Sequence, residues 1–163
     1  MMANDILYKL AIRVGKALKT RKLMLVMAES CTGGGVGEAV TRVPGSSEWF
    51  ERGFITYTYI SKREMLGVKR KTLDKFGAVS EQTAREMAAG ALKNSHAQVA
   101  VAVSGTAGPD GGTPDKPVGT VCLAWCLKNG EMVSEARHFK GNRQTIRRKA
   151  VMRALQGVLE MLE

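Results

Sequence analysis

The stretch Ala28-Glu29-Ser30-Cys31-Thr32-Gly33-Gly34-Gly35 decides the fold, because it joins two elements of different kinds. Before it, residues 23–27 form a short apolar run that is typical of a buried strand. After it, apolar residues recur at helical spacing over positions 36–43. The stretch is therefore predicted to be a strand-to-helix turn, which presents backbone N–H groups and the positive end of a helix dipole.

Three chemical groups stand side by side on this turn: the carboxylate of Glu29, the hydroxyl of Ser30 and the thiol of Cys31. The glycines that follow let another group approach the backbone closely. A reactive site is one interpretation of this turn. The alternative is a plain helix start in which the side chain of Ser30 or Thr32 is the N-cap.

The composition is that of a soluble globular protein, with 44% hydrophobic and 25% charged residues. A length of 163 residues suits one domain, predicted to span positions 1–163. No apolar run approaches the roughly 20 residues that cross a membrane. Lys9, Arg13 and Lys16 interrupt the place where a signal peptide would need an apolar core, so the cytoplasm is the expected location.

The cysteines and histidines give no support for a disulfide framework or a metal site. The three cysteines are an odd number. Cys122 and Cys126 would lie roughly 13 Å apart in a strand, at about 3.3 Å per residue. The two histidines, His96 and His138, lack the spacing of metal ligands.

The net charge is +10, from 25 basic and 15 acidic residues. Such a protein attracts anions such as phosphate esters, nucleic acid or acidic lipid. Solvated surface is the alternative for most of the basic residues, which fall into three clusters. The clusters are Lys16, Lys19, Arg21 and Lys22; Lys69, Arg70 and Lys71; and Arg147, Arg148 and Lys149. Nucleic acid is not expected as a partner, because no recognisable binding motif or aromatic stacking platform is present.

The periodicity predicts a three-layer α/β/α sandwich around a five-stranded, mostly parallel mixed sheet. The dipeptide Asn129-Gly130 predicts that the last two strands form an antiparallel C-terminal hairpin. Ser61 and Ser80 are predicted to cap helices. The predicted strands are 23–28, 53–60, 98–103, 119–126 and 132–138. The predicted helices are 5–20, the segment after the glycine turn, a short one after Ser61, 81–94 and 143–162.

Polar or glycine-rich segments follow three of these strands, at 30–35, 57–62 and 104–112. In open α/β sheets such strand ends form ligand clefts. If the three strands are parallel, the segments open onto one edge. That edge would hold Ser30, Tyr57, Lys62, Thr106 and Asp110.

Several common chemistries are excluded by spacing. The glycines match neither the P-loop nor the dinucleotide-binding pattern, and no histidine lies on a glycine loop to complete a Ser-His-Asp triad. A Ser-Lys pair, Ser30 with Lys62, remains. A lysine accepts a serine proton only when neutral, and burial together with a cationic environment lowers its pKa. Ser30 would also lie beside N–H donors able to hold an oxyanion.

Several blocks of sequence, in order over about residues 5–160, resemble the CinA C-terminal domain family. They are AESCTGG (28–34), GSS (45–47), FERG (50–53), Tyr57 with Lys62, GAVS (77–80), SGTAGPDGG (104–112) and KPVGTV (116–121). The length leaves no room for the N-terminal domain of full-length CinA proteins, so the resemblance is to the stand-alone form. It implies hydrolysis of a linear amide: nicotinamide mononucleotide and water give nicotinate mononucleotide and ammonia, in cytoplasmic pyridine-nucleotide salvage. It also implies no metal and no organic cofactor.

The resemblance further implies roles for single residues. Ser30 would be the nucleophile, Lys62 its lysine and Tyr57 the assisting tyrosine. Arg143, at the start of the last helix, suits a phosphate by charge and fork geometry. The expected substrate-binding residues are Glu29, Cys31, Thr32, Gly33, Gly105, Thr106, Ala107, Gly108, Asp110 and Arg143. The chain departs from the family at Tyr59, where asparagine is usual, and at Asn142, where aspartate is usual; these bear on the pocket shape and on the orientation of Arg143.

The competing hypothesis is a non-catalytic nucleotide-binding or regulatory module, in which the same loops bind a phosphorylated ligand without turnover. An ammonia-release assay separates the two. The expected partners are a small-molecule nucleotide and a second copy of the chain in a homodimer, and no membrane.

Overall fold

The computed structural model of the chain describes residues 5–163. Its helices are α1 (Ile6–Arg21), α2 (Gly35–Thr41), α3 (Tyr59–Leu66), α4 (Arg70–Phe76), α5 (Glu81–Lys93) and α6 (Arg143–Met161). Its strands are β1 (Leu25–Glu29), β2 (Phe50–Ile55), β3 (Val99–Gly105), β4 (Thr120–Leu127) and β5 (Met132–His138).

The strands form one sheet in the order β2-β1-β3-β4-β5. β1 pairs in parallel with both β2 and β3, whereas β4 pairs antiparallel with β3 and with β5. Four strands therefore run in one direction and β4 alone is reversed. This arrangement confirms the mixed, mostly parallel sheet and its C-terminal hairpin.

Side-chain alternation along the central strands divides the core into two layers. Val99, Val101 and Val103 of β3 face the cluster formed with α1, α2 and α6. Ala100 and Ala102 face the opposite cluster, to which α5 contributes most. Because both faces of β3 are covered, its sequence is continuously apolar, and the predicted three-layer sandwich is confirmed.

The second strand and the helix after it begin earlier than predicted. β2 ends at Ile55, because a capping box starts α3 at Tyr59. Ser61 N–H donates to Thr58 Oγ1 at 3.2 Å, and Thr58 N–H donates to Ser61 Oγ at 3.0 Å. Thr58 is therefore the cap, and the prediction of Ser61 in that role was wrong. The aromatic and β-branched residues favoured a strand, but the reciprocal cap outweighs that preference.

Helix α4 was not predicted at all. It has seven residues and buries only Thr72 and Leu73, so it offers too little apolar pattern to show a helical period. Ser80, in contrast, caps α5 as predicted, because its hydroxyl accepts from the N–H of Thr83. Within residues 5–163, no helix is both long enough and apolar enough to cross a membrane.

Helix α6 approaches the sheet very closely at Gly157. The Trp125 ring of β4 is buried there, and its Nε1–H donates to the Ala154 carbonyl at 2.9 Å. A Cβ at Gly157 would overlap the Trp125 ring. The missing side chain is therefore what lets the helix lie on the tryptophan.

We expect Gly157→Ala to lower the free energy of unfolding by about 1–3 kcal/mol, because overpacking displaces the ring or the helix. This loss should exceed the gain of up to about 1 kcal/mol from the better helix propensity of alanine. The measurement is urea denaturation. Gly37→Ala in α2 is the control, since its nearest neighbour would be Glu29 Oε2 at an ordinary 3.7 Å. Equal midpoints for the two variants would contradict the packing argument.

Candidate active site

Ser30 lies on a tight turn, the serine turn (Ser30–Gly34), between β1 and α2. Gly33 and Gly34 have φ values of +57° and +99°, a region that favours glycine. Gly34 is the N-cap of α2 and offers no side chain, so the alternative with Ser30 or Thr32 as N-cap was wrong.

Glu29 supplies the missing cap from the end of the strand. Its Oε1 accepts from Thr32 Oγ1 at 2.6 Å and from Val36 N–H at 2.9 Å, and its Oε2 accepts from Gly37 N–H at 3.1 Å. A carboxylate at this place also complements the helix dipole. Glu29 and Thr32 are fully buried in this network, so they shape the serine turn from within.

Ser30 and Lys62 meet across the edge of the sheet. Lys62 Nζ lies 2.8 Å from Ser30 Oγ and donates to the Thr56 carbonyl at 2.6 Å. The amine comes from the first turn of α3, and Thr56 directly follows β2. Lys62 is only 1% exposed, so its amine is shielded from bulk water.

Burial lowers the pKa of Lys62 from 10.5 to about 8. No ion pair within residues 5–163 includes Lys62, so no carboxylate restores the cationic form. A neutral amine keeps one lone pair while it donates to the Thr56 carbonyl. That lone pair can accept the Ser30 hydroxyl proton, which is the arrangement of a general base and its nucleophile.

Cys31 lies next to Ser30, but its surroundings favour the protonated form of its side chain. Burial raises the pKa of its thiol to about 11. The thiol is therefore protonated near neutral pH, and a protonated thiol is a poor nucleophile. Of the two side chains, only Ser30 has a base in contact.

A cavity of about 240 Å³ opens in front of this pair. Ten of the predicted site residues line it: Ser30, Cys31, Tyr57, Lys62, Gly105, Thr106, Ala107, Gly108, Asp110 and Arg143. Glu29, Thr32 and Gly33 do not line it. The three predicted segments meet at one edge because β1, β2 and β3 are parallel.

The far wall of the cavity is the loop after β3. Gly108 has a φ of +80°, and a Cβ there would lie 2.5 Å from Val118 Cγ1. The loop can therefore pack against Val118 only with glycine at this position. Ser104 ties the near end of the loop to a neighbouring segment by donating to the Ala78 carbonyl at 2.8 Å.

Arg143 spans the mouth of the cavity. Its Nη1 donates to the Gly108 carbonyl at 2.7 Å and its Nη2 donates to the Tyr57 hydroxyl at 3.1 Å. Asn142 caps α6 by accepting from Thr145 N–H at 2.9 Å, a role that the usual aspartate would also fill. No ion pair within residues 5–163 includes Arg143, so its charge is available at the mouth.

Sequence reasoning missed several residues of the site. Ser104, Ala78 and Val79 line the cavity. Tyr59, which was expected only to bear on the pocket shape, lines it too. Arg147 lies behind the serine turn and contacts its backbone. Two helical spacings carried a signal: Tyr59 precedes Lys62 by three residues, and Arg147 follows Arg143 by four, so each pair shares a helix face.

No group of three or more His, Cys, Asp or Glu side chains that could hold a metal ion occurs in the described part of the chain. Cys31, Cys122 and Cys126 are all free and buried.

Comparison with known proteins places this site in a family. The model of the CinA C-terminal domain matches residues 7–162. A protein of Escherichia coli named nicotinamide-nucleotide amidohydrolase PncC is 49% identical over 155 residues, which cover 95% of this chain and 94% of that protein. The protein of the same name from Enterobacter agglomerans is 46% identical over 158 residues, covering 97% and 96%.

A solved structure has the same fold. The competence/damage inducible protein CihA from Agrobacterium tumefaciens superposes with a TM-score of 0.94 at 46% sequence identity, and the match covers 96% of both chains. Since the family model spans nearly the whole sequence and these relatives match over almost their full lengths, the chain belongs to the CinA C-terminal domain family.

Proposed function

We propose that this chain is an amidohydrolase that converts nicotinamide mononucleotide and water into nicotinate mononucleotide and ammonia. The observation that carries the proposal is the contact of 2.8 Å between Ser30 Oγ and the buried amine of Lys62. The name of the PncC relatives, nicotinamide-nucleotide amidohydrolase, supports the substrate class. The decisive experiment is incubation with nicotinamide mononucleotide and, separately, with nicotinamide riboside, with ammonia as the readout.

In the first proposed step, Ser30 Oγ attacks the carboxamide carbon while its proton passes to the neutral amine of Lys62. The carbonyl oxygen then carries the negative charge of a tetrahedral intermediate. Among the backbone N–H groups of the serine turn, those of Cys31 and Thr32 have no hydrogen-bond partner within residues 5–163 and are suited to hold that oxyanion. No additional base is needed, because Lys62 has a lowered pKa and a direct contact with the hydroxyl.

In the second proposed step, the Lys62 ammonium returns the proton to the leaving nitrogen, and the carbon–nitrogen bond breaks. Ammonia leaves and an ester of Ser30 remains. Lys62, neutral again, then takes a proton from the attacking water and passes it to Ser30 Oγ as the ester is cleaved. Nicotinate mononucleotide is released and the enzyme returns to its starting state.

The mouth of the cavity fits a phosphorylated ligand of limited size. The Arg143 guanidinium lies at the entrance with two walls of the cavity as its hydrogen-bond partners. A phosphate could replace either partner with a charge-assisted contact. A volume of about 240 Å³ is below the usual range of roughly 300–1,000 Å³ for ligand pockets.

The proposal needs neither a metal nor an organic cofactor and places the protein in cytoplasmic pyridine-nucleotide salvage, acting as a homodimer. The proposal assigns Tyr57 the role of the assisting tyrosine; its hydroxyl accepts from Arg143 at the entrance. Turnover itself distinguishes this function from a non-catalytic nucleotide-binding module, which would bind the nucleotide and release no ammonia.

Ser30→Ala should reduce turnover by roughly 10³-fold or more, as removal of a nucleophile does, while the fold is retained. Ammonia release and circular dichroism are the measurements. Ser47→Ala, on an exposed position, is the matched control and should be fully active. Cys31→Ala should still turn over, because the buried thiol is protonated. Near-normal turnover by Ser30→Ala would exclude Ser30 as the nucleophile.

Lys62→Arg should be as inactive as Lys62→Ala, because an arginine stays protonated and cannot act as a base. For the wild type, kcat/KM should rise with pH and level off above a midpoint near 8, since the neutral fraction of Lys62 grows as pH passes its lowered pKa. The measurement is a pH–rate profile with ammonia as the product. Comparable turnover by Lys62→Arg would mean that the site uses the charge of the side chain and not its basicity.

Arg143→Ala should raise KM for the nucleotide and leave KM for the riboside almost unchanged. A charge-assisted hydrogen bond contributes about 1.5–3 kcal/mol, which corresponds to roughly 10- to 100-fold in affinity. Steady-state kinetics with both substrates are the measurement. Equal KM values for nucleotide and riboside in the wild type would remove the phosphate argument.

A further inference from the structure

We propose that Arg147 is a positioning residue, whose guanidinium holds the serine turn in the conformation that directs Ser30 toward Lys62. The inference rests on the proposed function, because it assigns Arg147 a part in the reactivity of Ser30. Arg147 does not line the cavity and acts through the backbone of the turn.

The contact joins two consecutive carbonyls to one side chain. Arg147 Nε donates to the Cys31 carbonyl at 3.1 Å, and Nη2 donates to the Thr32 carbonyl at 3.0 Å. A planar guanidinium presents these two N–H groups in a fixed fork. The carbonyls belong to the two residues that directly follow Ser30, so the fork constrains the backbone beside the reacting hydroxyl.

The Thr32 hydroxyl, which donates to Glu29, holds part of the serine turn from within, but the two glycines leave the rest of its backbone easier to rotate. Gly33 and Gly34 carry no Cβ, and glycine crosses between backbone conformations more easily than other residues. Inside the turn, Gly33 N–H donates to the Ser30 carbonyl at 3.1 Å and Gly35 N–H to the Thr32 carbonyl at 2.9 Å. Neither bond involves the Cys31 carbonyl, which accepts from Arg147.

Fixing a carbonyl also fixes the N–H of the same peptide unit, because the trans peptide is planar and the two groups point in opposite directions. Holding the Cys31 carbonyl toward α6 therefore directs the N–H of Thr32 away from α6. Rotation of this peptide unit would change the direction of the N–H group and the backbone next to Ser30. Arg147 prevents that rotation, so Ser30 Oγ stays within 2.8 Å of Lys62 Nζ.

The surroundings of Arg147 hold its side chain in place. Arg147 is half-buried on α6, between the fully buried Ile146 and the nearby buried Ala150. A Cβ on Gly33 would lie only 3.3 Å from Arg147 Nη2, so the side chain and the turn are in close contact. Arg148, the next residue, instead faces outward and pairs with Asp5 at 3.0 Å, which makes it a matched control.

The test compares Arg147→Lys with Arg148→Lys. A lysine keeps the charge but cannot bridge two carbonyls as a fork. We expect Arg147→Lys to lower kcat about 10- to 100-fold, as displacement of a reacting group by about 1 Å does. KM for nicotinamide mononucleotide should change by less than about threefold, because no binding contact is removed. Arg148→Lys should keep the wild-type kcat.

Two further readouts separate positioning from loss of structure. Guanidinium ion, added at non-denaturing concentrations, should restore part of kcat to Arg147→Ala in a saturable way, whereas methylammonium should not. A serine-directed fluorophosphonate should label Ser30 more slowly in Arg147→Lys than in the wild type, with labelling followed by mass spectrometry. Thermal unfolding identifies any variant that fails to fold, and Arg147→Lys, which keeps the charge and stem, remains available if Arg147→Ala fails.

The outcomes are distinct. Unchanged kcat and unchanged labelling in Arg147→Lys, with an active wild type, would overturn the positioning role alone. A wild type that labels at Ser30 but releases no ammonia from nicotinamide mononucleotide would overturn the proposed function, and the labelling rates would still test Arg147. A wild type that neither labels at Ser30 nor releases ammonia would overturn both.

Discussion

The rest of the site depends on the burial of the Lys62 amine with no carboxylate of the described residues beside it. Lys62 is 1% exposed, and its polar contacts within the described chain are the Ser30 hydroxyl and the Thr56 carbonyl. A charged amine in such surroundings is unfavourable unless paired, so the neutral form gains population. The lowered pKa of Lys62 is a consequence of where the fold places α3. It means that a neutral amine, which can accept a hydroxyl proton, is present near pH 8.

Sheet topology brings the amine and the hydroxyl together from opposite layers. Ser30 follows β1 and leads into α2 on one face, whereas Lys62 lies on α3, which packs with α5 on the other. The two meet only because β1 and its neighbour β2 are parallel and end at the same edge. The adjacent parallel strands therefore hold both side chains in place, because neither Ser30 nor Lys62 lies on a long loop.

The sequence predicts this edge well, because strand ends and glycine segments are local features and parallel pairing brings them together. It predicted Ser30, Tyr57, Lys62, Thr106 and Asp110 at one edge, and all five line the cavity. It did not reveal that Glu29 caps α2, because Glu29 lies seven and eight residues before the N–H groups it accepts from, which matches no known capping pattern. Nor did it reveal Arg147, which is separated in sequence from the carbonyls it contacts by more than a hundred residues. Such contacts depend on how α6 docks, which periodicity alone does not specify.

Helix α6 carries Arg143 and Arg147 at a fixed separation. Arg143 at the entrance and Arg147 behind the serine turn are four residues apart on this one helix. With a rise of about 1.5 Å per residue, their backbones are separated by about 6 Å along the axis. The helix is held on the sheet by Trp125 against Gly157 and by buried residues along its length. If both proposals hold, one rigid element sets the phosphate contact and the serine backbone. In the proposed function, α6 therefore fixes the two arginines relative to Ser30, while reactivity comes from the burial of Lys62.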